Sequence, residues 1–125
     1  MTVRILERDF DVVGTVGDGQ ALLEAVPRLM PDVCVIDISM PILSGIEAAI
    51  LLRQGGSPVK IIFLTVHTQE VFVEAALEAG ALGYVLKPRM ASDLCLAVQE
   101  VFSGRQFVSP SLSHASLDGK DGHPS

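Results

Sequence analysis

At 125 residues the chain has the length of one ordinary domain, and a hydrophobic fraction of 49% is enough to bury a core. A formal net charge of −6, with only 9 Lys and Arg residues, excludes a basic nucleic-acid-binding surface, because an acidic chain repels phosphate backbones. No apolar stretch reaches the roughly 18 residues of a membrane span, and the N-terminus lacks the basic-then-apolar pattern of a secretory signal.

In chain order, Val12–Val16 is the first apolar run that reads as a buried strand. A helical pattern follows, with Ala21, Leu22, Ala25, Val26 and Leu29 on one face and Asp18 as its expected N-cap. Pro27 is expected to kink this helix or end it near Val26. Val33–Ile38 and Val59–Val66 are near-continuous Val, Ile, Leu and Phe, the pattern of strands covered on both faces. Between them Ile46, Ala49 and Ile50 mark a helix closed by Gly55-Gly56. Val71, Phe72, Ala75, Ala76 and Ala79 mark a third helix, capped by Gly80. Gly83–Leu86 is the fourth strand. The last helix, with Leu94, Val98, Val101 and Phe102, is expected to start near Ser92 and end at Gly104. The two cysteines, Cys34 and Cys95, lie in apolar segments without metal-ligand spacing. They read as small buried side chains of a reducing compartment, with a disulfide as the alternative.

Alternating strands and helices predict an α/β fold, a doubly wound parallel sheet with helices on both faces. Ligands of such sheets bind beyond the carboxyl ends of the strands. Three strands end there in Asp37, in Thr65 and in Lys87-Pro88, and consecutive strands tend to be neighbours. A carboxylate, a hydroxyl and an ammonium on one rim suit phosphoryl transfer to the carboxylate. The lysine and the hydroxyl would stabilise charge on the phosphoryl oxygens. Taken singly, each has a plainer reading: a strand-ending Asp as a turn residue or helix cap, and a Lys before Pro as a solvated side chain.

The stretch Asp37-Ile38-Ser39-Met40-Pro41-Ile42-Leu43-Ser44-Gly45 resembles the phosphorylation loop of response regulator receiver domains. Thr65 and Lys87 lie 28 and 50 positions after Asp37, intervals similar to those of that family. Ala79-Gly80-Ala81-Leu82-Gly83-Tyr84 followed by Lys87-Pro88 also looks like its approach to the lysine. Within the family, Asp-Ile-Ser-Met-Pro, Leu-Thr-Val-His and Gly104-Arg105-Gln106-Phe107-Val108-Ser109-Pro110 are most similar to the NarL/FixJ group, which carries a LuxR-type helix-turn-helix output.

The resemblance implies a flavodoxin-like (CheY-like) fold and a role in each matched residue. Asp37 would accept a phosphoryl group from a sensor histidine kinase. Lys87 would pair with it, and Thr65 would move to bond it. Tyr84 would act as an aromatic switch. Met40, Pro41, Gly45 and Pro88 would shape the loops, while Ser39 and His67 would tune phosphate lifetime. For His67 the plainer reading is a partly exposed loop residue, and for Tyr84 a packed strand aromatic. Asp37 and the backbone carbonyl of Ser39 would ligate Mg2+. The protein would be a cytoplasmic switch rather than a turnover enzyme, open to homodimerisation, without direct nucleic-acid or membrane contact. It would govern transcription through an output domain that does not follow Ser109 here.

The pattern departs from the family at its start. Receivers open with a strand ending in two acidic residues, whereas Met1–Asp9 resembles the end of the first helix. The domain is therefore expected to be truncated at its N-terminus, spanning 1–108, with 109–125 as a flexible tail. Asp9 and Asp11 precede a strand, and Asp18 is expected two strand spacings away, so none replaces the acidic pair. Magnesium affinity and phosphorylation are expected to be impaired. A pseudo-receiver acting as a protein-interaction module and a gene fragment are the alternatives. A haloacid-dehalogenase-type phosphatase is disfavoured because Ser39 stands where its second Asp is required.

Overall fold

The computed structural model describes residues 2–6, 12–16, 19–38 and 42–110. Strands β1 (Thr2–Leu6) and β2 (Val12–Val16) precede helix α1 (Gly19–Leu29). Then come β3 (Val33–Ile38), α2 (Ile42–Gln54), β4 (Lys60–Thr65), α3 (Glu70–Glu78), β5 (Gly83–Leu86), α4 (Met90–Phe102) and β6 (Phe107–Val108). They build one six-stranded sheet in the order β2-β1-β3-β4-β5-β6. From β3 to β6 every pairing is parallel, as the two-sided hydrophobic runs predict.

The sheet has an apolar layer on each face. Side chains alternate across a strand, so Cys34, Ile36, Ile61, Phe63 and Tyr84 face α1, α2 and α3, and pack with Leu22, Ala49, Leu52 and Ala76. Val33, Val35, Ile62, Leu64 and Val85 face the other way, onto Ala97, Val98 and Val101 of α4. β3 and β4 thus lie between two cores, which fixes their register: a one-residue slip would exchange the two apolar faces.

Several boundaries differ from the sequence reading. Residues expected to end a helix form β1, which runs antiparallel to both β2 and β3 and fills the place between them. Ladder bonding to β2 and β3 outweighs helix propensity over this short segment. α1 continues through Pro27 to Leu29. A proline in a helix's last turn forfeits only one ladder bond, and Met30, in the left-handed region at φ 48°, closes the helix with its N–H on the Val26 carbonyl. Gly45, expected in a loop, lies near the start of α2, with its backbone buried. Gly56, Gly80 and Gly104 take positive φ just past helix ends, as their placement predicts. Cys34 is buried, but Cys95 is exposed on α4, and both are free thiols. Burial pushes the Cys34 thiol up to about 12, leaving it inert.

Candidate phosphoacceptor site

The candidate rim is a consequence of register. Ile38 of β3 pairs with Thr65 of β4, and Thr65 pairs with Leu86 of β5. The carboxyl ends of three parallel strands therefore finish level, with Asp37, Thr65 and Lys87 along them. Lys87 Nζ lies 2.6 Å from Asp37 Oδ1, and the two side chains are 28% and 25% exposed. The lysine spans the width of β4, since β5 and β3 stand two strand spacings of about 4.8 Å apart. An ion pair this open to water contributes no more than about 1 kcal/mol to stability. Its effect is positional: it sets a cation beside a carboxylate in a water-accessible notch.

Thr65 is fully buried, and its Oγ1 accepts a hydrogen bond from the His67 N–H at 3.1 Å. Tyr84 is fully buried too, and its hydroxyl donates to the His67 carbonyl at 2.9 Å. Burial pushes that phenol up to about 12, so it stays a donor at neutral pH. The backbone of His67 thus joins the Thr65 turn to the Tyr84 ring. The imidazole meets the Phe72 ring edge-on, with centroids 5.3 Å apart, and its buried Nε2 has no hydrogen-bond partner among the described residues.

A second cluster buttresses the lysine, and the sequence reading missed it. Leu86 donates its N–H to Ser109 Oγ at 3.0 Å, and Ser109 Oγ donates to Asp93 Oδ2 at 3.0 Å. Arg89 Nε donates to the same carboxylate oxygen at 2.8 Å. Desolvation raises the Asp93 carboxyl, but hydrogen bonds from Arg89, Ser109 and Ser92 outweigh it and hold the group below its ordinary value. The i,i+4 spacing of Arg89 and Asp93 was the available signal.

Ser39, Met40 and Pro41 lie outside the described residues, as do Asp9, Asp11 and Asp18. So does the expected tail beyond Pro110, while Ser109 itself is buried. Pro88 sits in the 3-10 turn Lys87–Arg89. A resident divalent cation does not fit the donors described. Among the described residues no three His, Cys, Asp or Glu side chains are placed to hold a metal ion together, the register partner of Asp37 on β1 is Thr2, and Asp37 is paired with an ammonium. A cavity of about 540 Å³ between α1 and α2 is lined by Val26, Met30, Leu52 and Val59 at the opposite rim and touches none of these groups.

Residues 1–99 match the family model described as the response regulator receiver domain. The chain belongs to that family. Its receiver is 39% identical over 108 residues to the uncharacterized transcriptional regulatory protein YvfU of Bacillus subtilis, covering 86% of this chain and 54% of that protein. It is 38% identical to the transcriptional regulatory protein DesR of the same organism, over 86% of this chain and 53% of that one. Among solved structures, a LuxR-family two-component response regulator from Aurantimonas matches with a TM-score of 0.77 and 30% identity, over 84% of this chain and 75% of that one. The receiver domain of the response regulator NarL from Mycobacterium tuberculosis matches with a TM-score of 0.69 and 33% identity, over 76% and 77%. These relatives place the receiver among those of the LuxR/NarL kind. It spans about half the length of the curated relatives it matches. No helix among the described residues is long and apolar enough to cross a membrane.

Proposed function

We propose that this receiver, residues 1–108, takes a phosphoryl group on Asp37 from a sensor histidine kinase in the cytoplasm and passes that state, through the segment from 109 onward, to a DNA-binding output that controls transcription. The observation that carries this reading is the Lys87 ammonium 2.6 Å from Asp37 Oδ1, with Thr65 on the strand between them. A carboxylate oxygen of Asp37 attacks phosphorus. The bond from phosphorus to the donor imidazole nitrogen breaks, the electron pair leaves with the imidazole, and an acyl phosphate remains on Asp37. Lys87 stabilises charge on the phosphoryl oxygens as they approach. The new dianion adds acceptor oxygens beside the Thr65 turn. Movement of Thr65 alters the turn at His67, whose carbonyl holds the Tyr84 hydroxyl, so the α3–β5 surface responds. That surface is where a partner, including a second copy of the receiver, would bind.

Incubation with acetyl phosphate, with and without Mg2+, followed by intact-mass measurement, tests this. A gain of one phosphoryl group that Asp37→Asn abolishes is expected, and no gain under either condition refutes it. A second reading is favoured by the poor fit of a resident divalent cation: a pseudo-receiver whose partner binding does not depend on phosphate. Partner affinity unchanged by Asp37→Asn would support that reading over the first.

A further inference from the structure

We propose that Ser109, Asp93 and Arg89 are positioning residues for Lys87, which clamp its turn at both ends so that the ammonium meets Asp37. The clamp is a closed circuit. Upstream of the lysine, the Leu86 N–H is held by Ser109 Oγ at 3.0 Å. Downstream, Arg89 Nε is held by Asp93 Oδ2 at 2.8 Å. Ser109 Oγ closes the ring on that same carboxylate oxygen at 3.0 Å. Lys87 and Pro88 are the only residues between the two clamped positions, and proline fixes its own φ, so few backbone rotations remain free.

The clamp is itself anchored. Ser109 is fully buried and donates its N–H to the Tyr84 carbonyl at 3.0 Å, and β6 pairs beside β5 just before it. Asp93 is 3% exposed and accepts from Ser92 as well. A single hydroxyl thus joins the start of the 3-10 turn, the first turn of α4 and the chain leaving β6. Tension on residues after 109 would reach Lys87 through two hydrogen bonds, and a change at Lys87 would travel back the same way. The consequence for phosphoryl transfer rests on the reading of Asp37 given above; the positioning itself does not.

The test uses the full chain and two readouts. In pulse acetylation with acetic anhydride, read lysine by lysine by mass spectrometry, Lys60 is the internal reference. Ser109→Ala is expected to raise Lys87 reactivity relative to Lys60 by about fivefold, the equivalent of one net hydrogen bond. Ser109→Thr, which keeps the hydroxyl, is expected to restore it. Arg89→Met, at a side chain 42% exposed, is expected to shift reactivity in the same direction. Should Ser109→Ala fail to fold, Arg89→Met carries the test. Unchanged Lys87 reactivity in the folded variants overturns the proposal. In the second readout, Ser109→Ala is expected to slow labelling by acetyl phosphate by about tenfold or more. If wild type takes no phosphoryl group but Lys87 reactivity shifts as stated, the Asp37 reading fails and the clamp stands.

Discussion

Gly83 opens β5 opposite Ile62 of β4, and nothing larger fits there. A Cβ at this position would lie 2.8 Å from Ile62 Cγ1 and 3.0 Å from Cγ2. Carbon atoms rest at about 3.5–4.0 Å, so Gly83→Ala forces an overlap of roughly 0.7 Å. Ile62 cannot step aside cheaply. It is fully buried, its branched χ1 is stiff, and rotation exchanges one γ carbon for the other. Overpacking of this kind costs about 1–3 kcal/mol. Removing a strand glycine returns about 0.5–1 kcal/mol of backbone entropy, so the expected net loss is about 1–2 kcal/mol. Urea denaturation should show a lower midpoint at unchanged slope. Ile62→Ala removes both γ carbons and alone costs about 2–5 kcal/mol, but the double variant should fall short of the sum by about 1–3 kcal/mol. A neutral or stabilising Gly83→Ala, or strict additivity of the pair, would refute the steric argument.

Other perturbations separate stability from chemistry. Tyr84→Phe leaves the ring in place but removes the donor to the His67 carbonyl, and should cost about 0.5–1.5 kcal/mol in chemical denaturation. Lys87→Met should cost no more than about 1 kcal/mol of stability, yet slow labelling by acetyl phosphate by roughly 100-fold. Asp93 has its carboxyl held below the ordinary value of 3.8, so it contributes stability above that pH and loses it as pH falls through the folded value. Denaturation curves from pH 7 to pH 3 should therefore flatten at the acid end in Asp93→Asn relative to wild type.

The residues differed in how much they disclosed. Val33–Ile38 and Gly83–Leu86 were legible to the residue, because two-sided burial writes an unbroken apolar run. Asp37, Thr65 and Lys87 were legible as a row, since strand ends and parallel order determine where such groups lie. β1 was not legible. Its five residues carry no local sign of the ladder partners that hold them, β2 beginning at Val12 and β3 at Val33. Gly45 was misplaced because a proline-containing loop motif conceals a helix that begins at Ile42. Ser109 looked like the first residue of a polar tail. Only the tertiary meeting of β5, α4 and β6 gives its hydroxyl two partners, the Leu86 N–H and the Asp93 carboxylate, and no periodicity encodes such a meeting.

The direction of β1 bears on how the molecule assembles. Parallel neighbours must wait for a helical crossover to bring them together, whereas β1 and β2 can zip as a ribbon within microseconds. Along its whole length β1 also pairs with β3, the strand that carries Asp37. Fraying of the ribbon would bare one whole flank of β3 while β4 holds the other, so the β1–β2 pair and the strand of Asp37 share an edge and its opening equilibrium.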